Sequence, residues 1–189
     1  MELKDVQADI SEVLYTEEQI QARIAEIARQ IEADYPDGDV LLVGVLKGAV
    51  IVMADLAREL RFHAHIDFMA VSSYGDSTKS SGVVKINKDL DTEVHGKNVL
   101  LVEDIMDSGL TLSWLVSNMH ARGAASVEVF AMFRKPEAVK IPVDIKYVGF
   151  DIPSAFVIGY GLDYAQNYRN VRGLAVLAPH VYGGQDPHA

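Results

Sequence analysis

The sequence predicts an α/β fold: an open, mainly parallel twisted sheet flanked by helices. Three observations carry that expectation. "VLLVGVL" (40–46) and "NVLLV" (98–102) are continuous aliphatic runs, the pattern of strands buried on both faces. Each run is followed by a stretch of helical rather than alternating character, "AVIVMADLAREL" (49–60) and "TLSWLVSNMHARG" (111–123). A third such strand, "SVEVFAMF" (126–133), comes directly after the second helix. Buried strands alternating with helices are accommodated by crossover connections on a parallel sheet.

The remaining elements follow in order. Residues 16–34 read as a helix, because Ile20, Ile24, Ile27 and Ile31 share one face and Thr16 with Gln19 forms a capping box. "DYPDGD" ends it. "RFHAHIDFMAVSS" alternates at Phe62, Ala64, Ile66 and Phe68, which predicts a strand with one wetter face. "YGDSTKSSG" (74–82) is small and polar and reads as a mobile loop, with "VVKI" a short strand after it. Gly123 closes the second sheet-flanking helix. Short strands are expected at "IKYVGF", "AFVIGY" and "GLAVLA", and the tail "HVYGGQDPHA" reads as a frayed terminus.

Bulk composition narrows the function. The 189 residues suffice for one well-buried core, with 49% hydrophobic and 23% charged residues. No apolar run reaches the ~18 residues of a membrane span. The N-terminus lacks the basic-then-apolar layout of a secretion signal, so a cytoplasmic protein without a membrane partner is expected. There is no cysteine, which removes disulfides, thiolate catalysis and cysteine-based zinc sites. The net charge of −10 disfavours a nucleic-acid partner, while a small polyanion bridged by metal ions stays open.

In open parallel sheets, ligands bind beyond the carboxyl ends of the strands. That rule singles out Lys47-Gly48, the stretch "LLVEDIMDSGLT" (100–111) and "RKP" (134–136). In the middle stretch Asp107, Ser108, Gly109, Leu110 and Thr111 join a strand to a helix. Backbone amides there, with the two hydroxyls, make a phosphate cradle, and Gly109 permits close approach. Glu103 and Asp104 would repel phosphate, but suit sugar hydroxyls or a magnesium ion bridging to phosphate. Together they describe a phosphorylated sugar. The plainer alternative for Asp107 is a helix cap amid surface acids.

"VLLVEDIMDSGLT" resembles the phosphoribosyl-pyrophosphate signature of type I phosphoribosyltransferases. "LLVGVLKGAVIVMADL", "SSYGDSTKSSGVVKI", "FRKP" and "VGFDIPSAFVIGYGLDYAQNYR" are similar, in order, to the other segments of the hypoxanthine-guanine phosphoribosyltransferases, bacterial branch. The resemblance runs from about residue 10 to about residue 179. It implies a single 1–189 domain, with a core over about 16–135 and a small hood over about 136–180 plus the N-terminal segment.

The family reaction transfers ribose 5-phosphate from phosphoribosyl pyrophosphate to N9 of hypoxanthine or guanine and releases pyrophosphate. By resemblance, Glu103 and Asp104 lie near the ribose hydroxyls and a magnesium ion, and residues 107–111 hold the 5-phosphate. Asp107 is similar to the family's general base near purine N7. Lys47 and Gly48, joined through a Leu46-Lys47 cis peptide, would face pyrophosphate. Lys135 would donate to the purine 6-oxo group, since an ammonium has donors and no acceptor. Phe156 would stack on the base and Val157 offer backbone groups to its edge. Asp163 would bind a second magnesium, with Arg169 on pyrophosphate. Ser73-Tyr74 opens a loop expected to close over the reactants, with Gly75 and Gly82 as hinges. Two magnesium ions, the two substrates and a homo-oligomeric state (dimer or tetramer) are the implied partners. A relative preferring xanthine, or a nucleotide-sensing regulatory homologue, is the alternative.

Overall fold

Local sequence signals explain most elements. A computed structural model of the chain describes residues 1–73 and 84–183. Tyr74, Gly75 and Gly82 lie outside the described residues, as does the Ser73 side chain. After a short 3-10 turn at Leu3–Val6, strand β1 spans Ile10–Tyr15 and helix α1 spans Glu17–Asp34. Thr16 caps α1 as expected: its hydroxyl accepts from the Gln19 amide, and the Gln19 side chain accepts from the Thr16 amide at 2.9 Å. Strand β2 (Leu41–Leu46), helix α2 (Val50–Glu59), strand β3 (His65–Ser73) and strand β4 (Val84–Lys88) follow. Then come strand β5 (Asn98–Met106), helix α3 (Leu110–Ala121) and strand β6 (Ser126–Arg134). Strands β7 (Tyr147–Asp151), β8 (Val157–Ile158) and β9 (Leu174–Leu177) complete the chain.

The main sheet has the order β4-β3-β2-β5-β6-β7, parallel throughout except for β4 against β3. Ser73 pairs through its backbone with Val84 at that antiparallel edge. A second sheet, β1-β9-β8, is antiparallel. Strand β7 extends the main sheet through its pairing with β6.

The aliphatic runs are buried on both faces, as their lack of alternation implies. Leu42, Leu100 and Phe130 pack with Ile20, Ile24, Ile27 and Ile31 of α1 and with Val52, Met53 and Leu56 of α2. Leu41, Val43, Leu101 and Val129 face the other way, against Leu112, Leu115 and Met119 of α3. In β3, His65, Ile66 and Ser72 are exposed, Ile66 by 43%, while Asp67 is buried. Asp67 is compensated there, since its carboxylate accepts from the Phe68, Asp91 and Thr92 amides.

Two departures from expectation concern the site. Strand β5 does not stop at Val102. It pairs with β6 through Glu103, Ile105 and Met106, so the two acids sit on the strand itself. The start of the tail is not frayed: Val181 and Tyr182 pack on the cluster of Phe156, Ile158 and Leu177, and the Tyr182 and Phe156 rings lie 5.6 Å apart. No helix among the described residues is long and apolar enough to cross a membrane.

Candidate active site

Parallel strands β2, β5 and β6 end side by side, and each delivers polar groups to the same rim. Strand β2 leads into Lys47 and Gly48 across a cis Leu46-Lys47 peptide bond. Strand β5 ends in Glu103, Asp104 and the Asp107 turn, and β6 ends at Lys135. A cleft of about 1690 Å³, counting its open mouth, is lined by Asp104, Asp107, Lys135, Phe156, Asp163 and Arg169, among others. A smaller cavity of about 560 Å³ adjoins it, lined by Glu103, Ser108, Gly109 and Thr111 and sharing Asp104 and Asp107 with the cleft.

The turn between β5 and α3 has a distinctive backbone. Gly109 has φ +82° and starts α3 with no side-chain cap. A side chain there would run into the Ile141 carbonyl. The Ser108 carbonyl is fixed by the Lys140 and Ile141 amides, both at 3.0 Å. The Leu110 amide at the start of α3 makes only a long contact to the Ser108 hydroxyl, 3.5 Å, and the cavity that Ser108, Gly109 and Thr111 line lies at this helix start. Leu110 lines the larger cleft. Asp107 does not cap the helix. Its Oδ2 lies 3.3 Å from the Lys135 ammonium, which is 6% exposed. Arg134 is engaged elsewhere, in a bidentate pair with Asp151 at 2.6 and 2.9 Å, so of these two neighbours it is Lys135 that lines the cleft.

Glu103 and Asp104 are each only 8% exposed. Burial, and then the neighbouring Asp104 charge, pushes the Glu103 carboxyl well above the usual range. Burial likewise pushes Asp104 up to about 6. The Asp104 Oδ1 accepts from the Ile105 amide at 2.9 Å. Gly48 packs so closely on this carboxylate that any side chain at 48 would overlap it.

Asp163 and Arg169 meet at 2.5 Å across one loop. Gln166, which sequence reasoning passed over, ties this pair to β2: its Oε1 lies 3.2 Å from the Lys47 ammonium and 3.4 Å from Arg169, and its amide donates to Asp163 at 2.9 Å. Phe156 and Val157 are buried on the cleft wall, with Tyr164 edge-on to Phe156 at 5.6 Å. Ile105 and Leu162 also line the cleft. Apolar residues in such segments look like core, so nothing in the sequence marks them. Lys47 and Gly48 reach the cleft through Gln166 and Asp104 rather than by lining its wall.

The donor set fits magnesium. Among the described residues no three acidic or histidine side chains cluster into a closed cage. Two buried, adjacent carboxylates offering hard oxygen donors suit an ion that completes its shell with water and substrate phosphates. Glu103 and Asp104 would hold one such ion, and Asp163 lies in the same cleft.

Residues 11–165 match the model of the phosphoribosyl transferase domain family. The chain belongs to that family. This phosphoribosyltransferase is 55% identical over 180 residues to the hypoxanthine-guanine phosphoribosyltransferase of Mycobacterium tuberculosis (strain ATCC 25618 / H37Rv), covering 92% of this chain and 89% of that protein. It is 49% identical over 174 residues to the hypoxanthine-guanine phosphoribosyltransferase of Bacillus subtilis (strain 168), with 92% and 97% covered. A crystal structure of a hypoxanthine phosphoribosyltransferase from Staphylococcus aureus superposes with a TM-score of 0.91 at 42% identity, covering 94% of this chain and 97% of that one.

The raised carboxyls of this phosphoribosyltransferase set a stability trade. A carboxyl with its folded pKa above the unfolded value binds more protons folded than unfolded. Stability from Asp104 therefore falls as pH rises from its ordinary 3.8 to about 6, and the full charge penalty applies above that. Asp104→Asn is expected to raise the melting temperature at pH 7.5 by about 2–4 °C per kcal/mol recovered. The gain should shrink at pH 4. Thermal melts at the two pH values check this; an equal shift at both would contradict it.

Proposed function

We propose that this enzyme transfers the 5-phosphoribosyl group of phosphoribosyl pyrophosphate to N9 of hypoxanthine or guanine, giving IMP or GMP and pyrophosphate. The observation that carries the reading is the Lys135–Asp107 pair, 3.3 Å apart in one cleft with Phe156 and next to the phosphate-loop turn. A 6-oxopurine presents a carbonyl acceptor at C6 and a nitrogen at N7 side by side, at about that separation. Lys135 donates to the oxygen, and Asp107 takes or relays the purine proton. Phe156 stacks on the base, and Val157 sets its far edge.

The sugar phosphate is held at its other end. The α3 amides with Ser108 and Thr111 bind the 5-phosphate. Glu103 and Asp104 face the ribose hydroxyls, and their charge favours the oxocarbenium-like centre that develops at C1′. As the C1′–oxygen bond to pyrophosphate breaks, the C1′–N9 bond forms. Lys47, the Gly48 backbone and Arg169 take up the negative charge leaving with pyrophosphate. Glu103 and Asp104 would hold one magnesium ion and Asp163 a second together with pyrophosphate, and these would supply charge neutralisation and orientation. In this reading Ser73 and Tyr74 belong to substrate binding.

Lys135 provides the test of base recognition. Lys135→Leu removes a charged donor and leaves the carbonyl unpaired. It is expected to lower kcat/KM for hypoxanthine roughly tenfold to a hundredfold, the worth of one charge-assisted hydrogen bond. KM for phosphoribosyl pyrophosphate should change little. A variant that kept wild-type kcat/KM for hypoxanthine would remove Lys135 from the site.

A further inference from the structure

Asp163, Gln166 and Arg169 sit on one loop, and that loop is built in an unusual conformation. All the non-glycine residues with left-handed backbone among the described residues fall within it: Tyr160 (φ 49°), Ala165 (φ 50°), Gln166 (φ 65°) and Tyr168 (φ 72°). L-residues avoid this region unless the surroundings enforce it. Its outermost members, Tyr160 and Tyr168, are both tyrosines, and both hydroxyls donate to an aspartate on a different element. The Tyr160 hydroxyl donates to Asp55 of α2 at 2.6 Å, and the same carboxylate oxygen accepts from Gln21 of α1 at 2.6 Å. The Tyr168 hydroxyl donates to Asp9 at 3.0 Å, beside the start of β1. Asp9 is itself anchored, because its carbonyl accepts from the Ala178 amide at 2.8 Å.

Between these ties the loop is tensioned toward the cleft. Arg169 donates to the Gly161 carbonyl at 2.8 Å, so its guanidinium is set by the residue following Tyr160. Gly161 in turn abuts the Gly48 carbonyl closely enough that no side chain fits between them. A shift of Tyr160 therefore displaces both Arg169 and the backbone beside Asp104. Burial first, and then the aspartate partner, raises each phenol above its ordinary value, so both hydroxyls remain donors at neutral pH.

We propose that Tyr160 and Tyr168 are positioning residues, whose hydroxyl ties to Asp55 and Asp9 hold the 160–169 loop so that Asp163 and Arg169 face the diphosphate. The proposal rests on the reading that this end of the cleft takes pyrophosphate. The purine end is walled by Phe156 and Lys135 and should be insensitive to the ties. Removing a hydroxyl keeps the ring, and the Tyr160 ring is held edge-on to Phe133 at 6.3 Å, so Tyr160→Phe retains its packing.

Calorimetric titration with magnesium pyrophosphate tests this on the whole enzyme. Tyr160→Phe and Tyr168→Phe are each expected to raise Kd about fivefold, the worth of one net hydrogen bond, and the double variant at least about twentyfold. The hypoxanthine KM should stay within about twofold, a split that general loosening of the fold would not produce. Asp55→Asn keeps an acceptor and should bind like wild type, whereas Asp55→Leu should match Tyr160→Phe. A double variant with wild-type Kd, or one in which the hypoxanthine KM rises as much as Kd, overturns the proposal alone. Wild-type enzyme that fails to bind magnesium pyrophosphate overturns the reading beneath it and the proposal together.

Discussion

Gly48→Ala is expected to abolish most phosphoribosyl transfer while leaving the fold intact. The added methyl would overlap the Asp104 carboxylate, and neither partner has room to yield. Asp104 is held from behind by the Ile105 amide at 2.9 Å, and it stands between Glu103 and Ile105, which both pair with β6. The residue-48 backbone cannot retreat either, because its carbonyl is already against Gly161. The carboxylate must therefore leave its place beside Glu103, or the Lys47-Gly48 turn must leave the rim. Misplacement of such groups by about 1 Å costs about a hundredfold in rate. Steady-state kinetics should show kcat/KM for phosphoribosyl pyrophosphate down at least that much, with the far-ultraviolet circular dichroism unchanged. A Gly48→Ala enzyme within about threefold of wild type would mean that the carboxylate pair has a freedom this packing denies it.

The second large effect is at Asp107. If Asp107 takes or relays the purine proton, Asp107→Asn removes general base catalysis but keeps size and a polar contact to Lys135. Such catalysis contributes typically 10²–10⁴-fold, so kcat is expected to fall by about 10³. KM for phosphoribosyl pyrophosphate should rise by no more than a few-fold, because the proposed reading gives the 5-phosphate to the α3 amides rather than to this carboxylate. The geometry already removes one competing account, since Gly109, not Asp107, begins α3. Equal losses in kcat and in substrate affinity would favour a role in ordering the turn.

How much of this was legible in the sequence depends on what each residue answers to. Helix α1 could be read directly, because its capping box and isoleucine stripe are local signals matched by burial of Ile20, Ile24, Ile27 and Ile31. The two-sided burial of β2 and β5 follows equally from unbroken aliphatic runs. Strand β1 was not foreseen. Half of Ile10–Tyr15 is exposed and the rest only partly buried, and its partner β9 lies more than 150 residues away in sequence, so no local pattern marks it. The extension of β5 through Glu103 and Asp104 was hidden for a related reason: acids are poor strand formers, and only pairing with β6 keeps them extended. Tyr182 was assigned to a loose end because termini usually fray, yet its ring docks on Phe156. Gln166 shows the limit most clearly. An exposed glutamine in a polar loop has no pattern, and its place between Lys47, Asp163 and Arg169 exists only once β2 and the loop are brought together.

The central claim is that one cleft joins a phosphoribosyl donor to a 6-oxopurine. It is tested most directly by initial rates with phosphoribosyl pyrophosphate and magnesium across hypoxanthine, guanine, xanthine and adenine, with the nucleotide product identified. The expected result is rapid formation of IMP from hypoxanthine or GMP from guanine, and a rate with adenine lower by orders of magnitude. Absence of turnover with every 6-oxopurine would contradict the function, and adenine used as well as hypoxanthine would contradict the role given to Lys135.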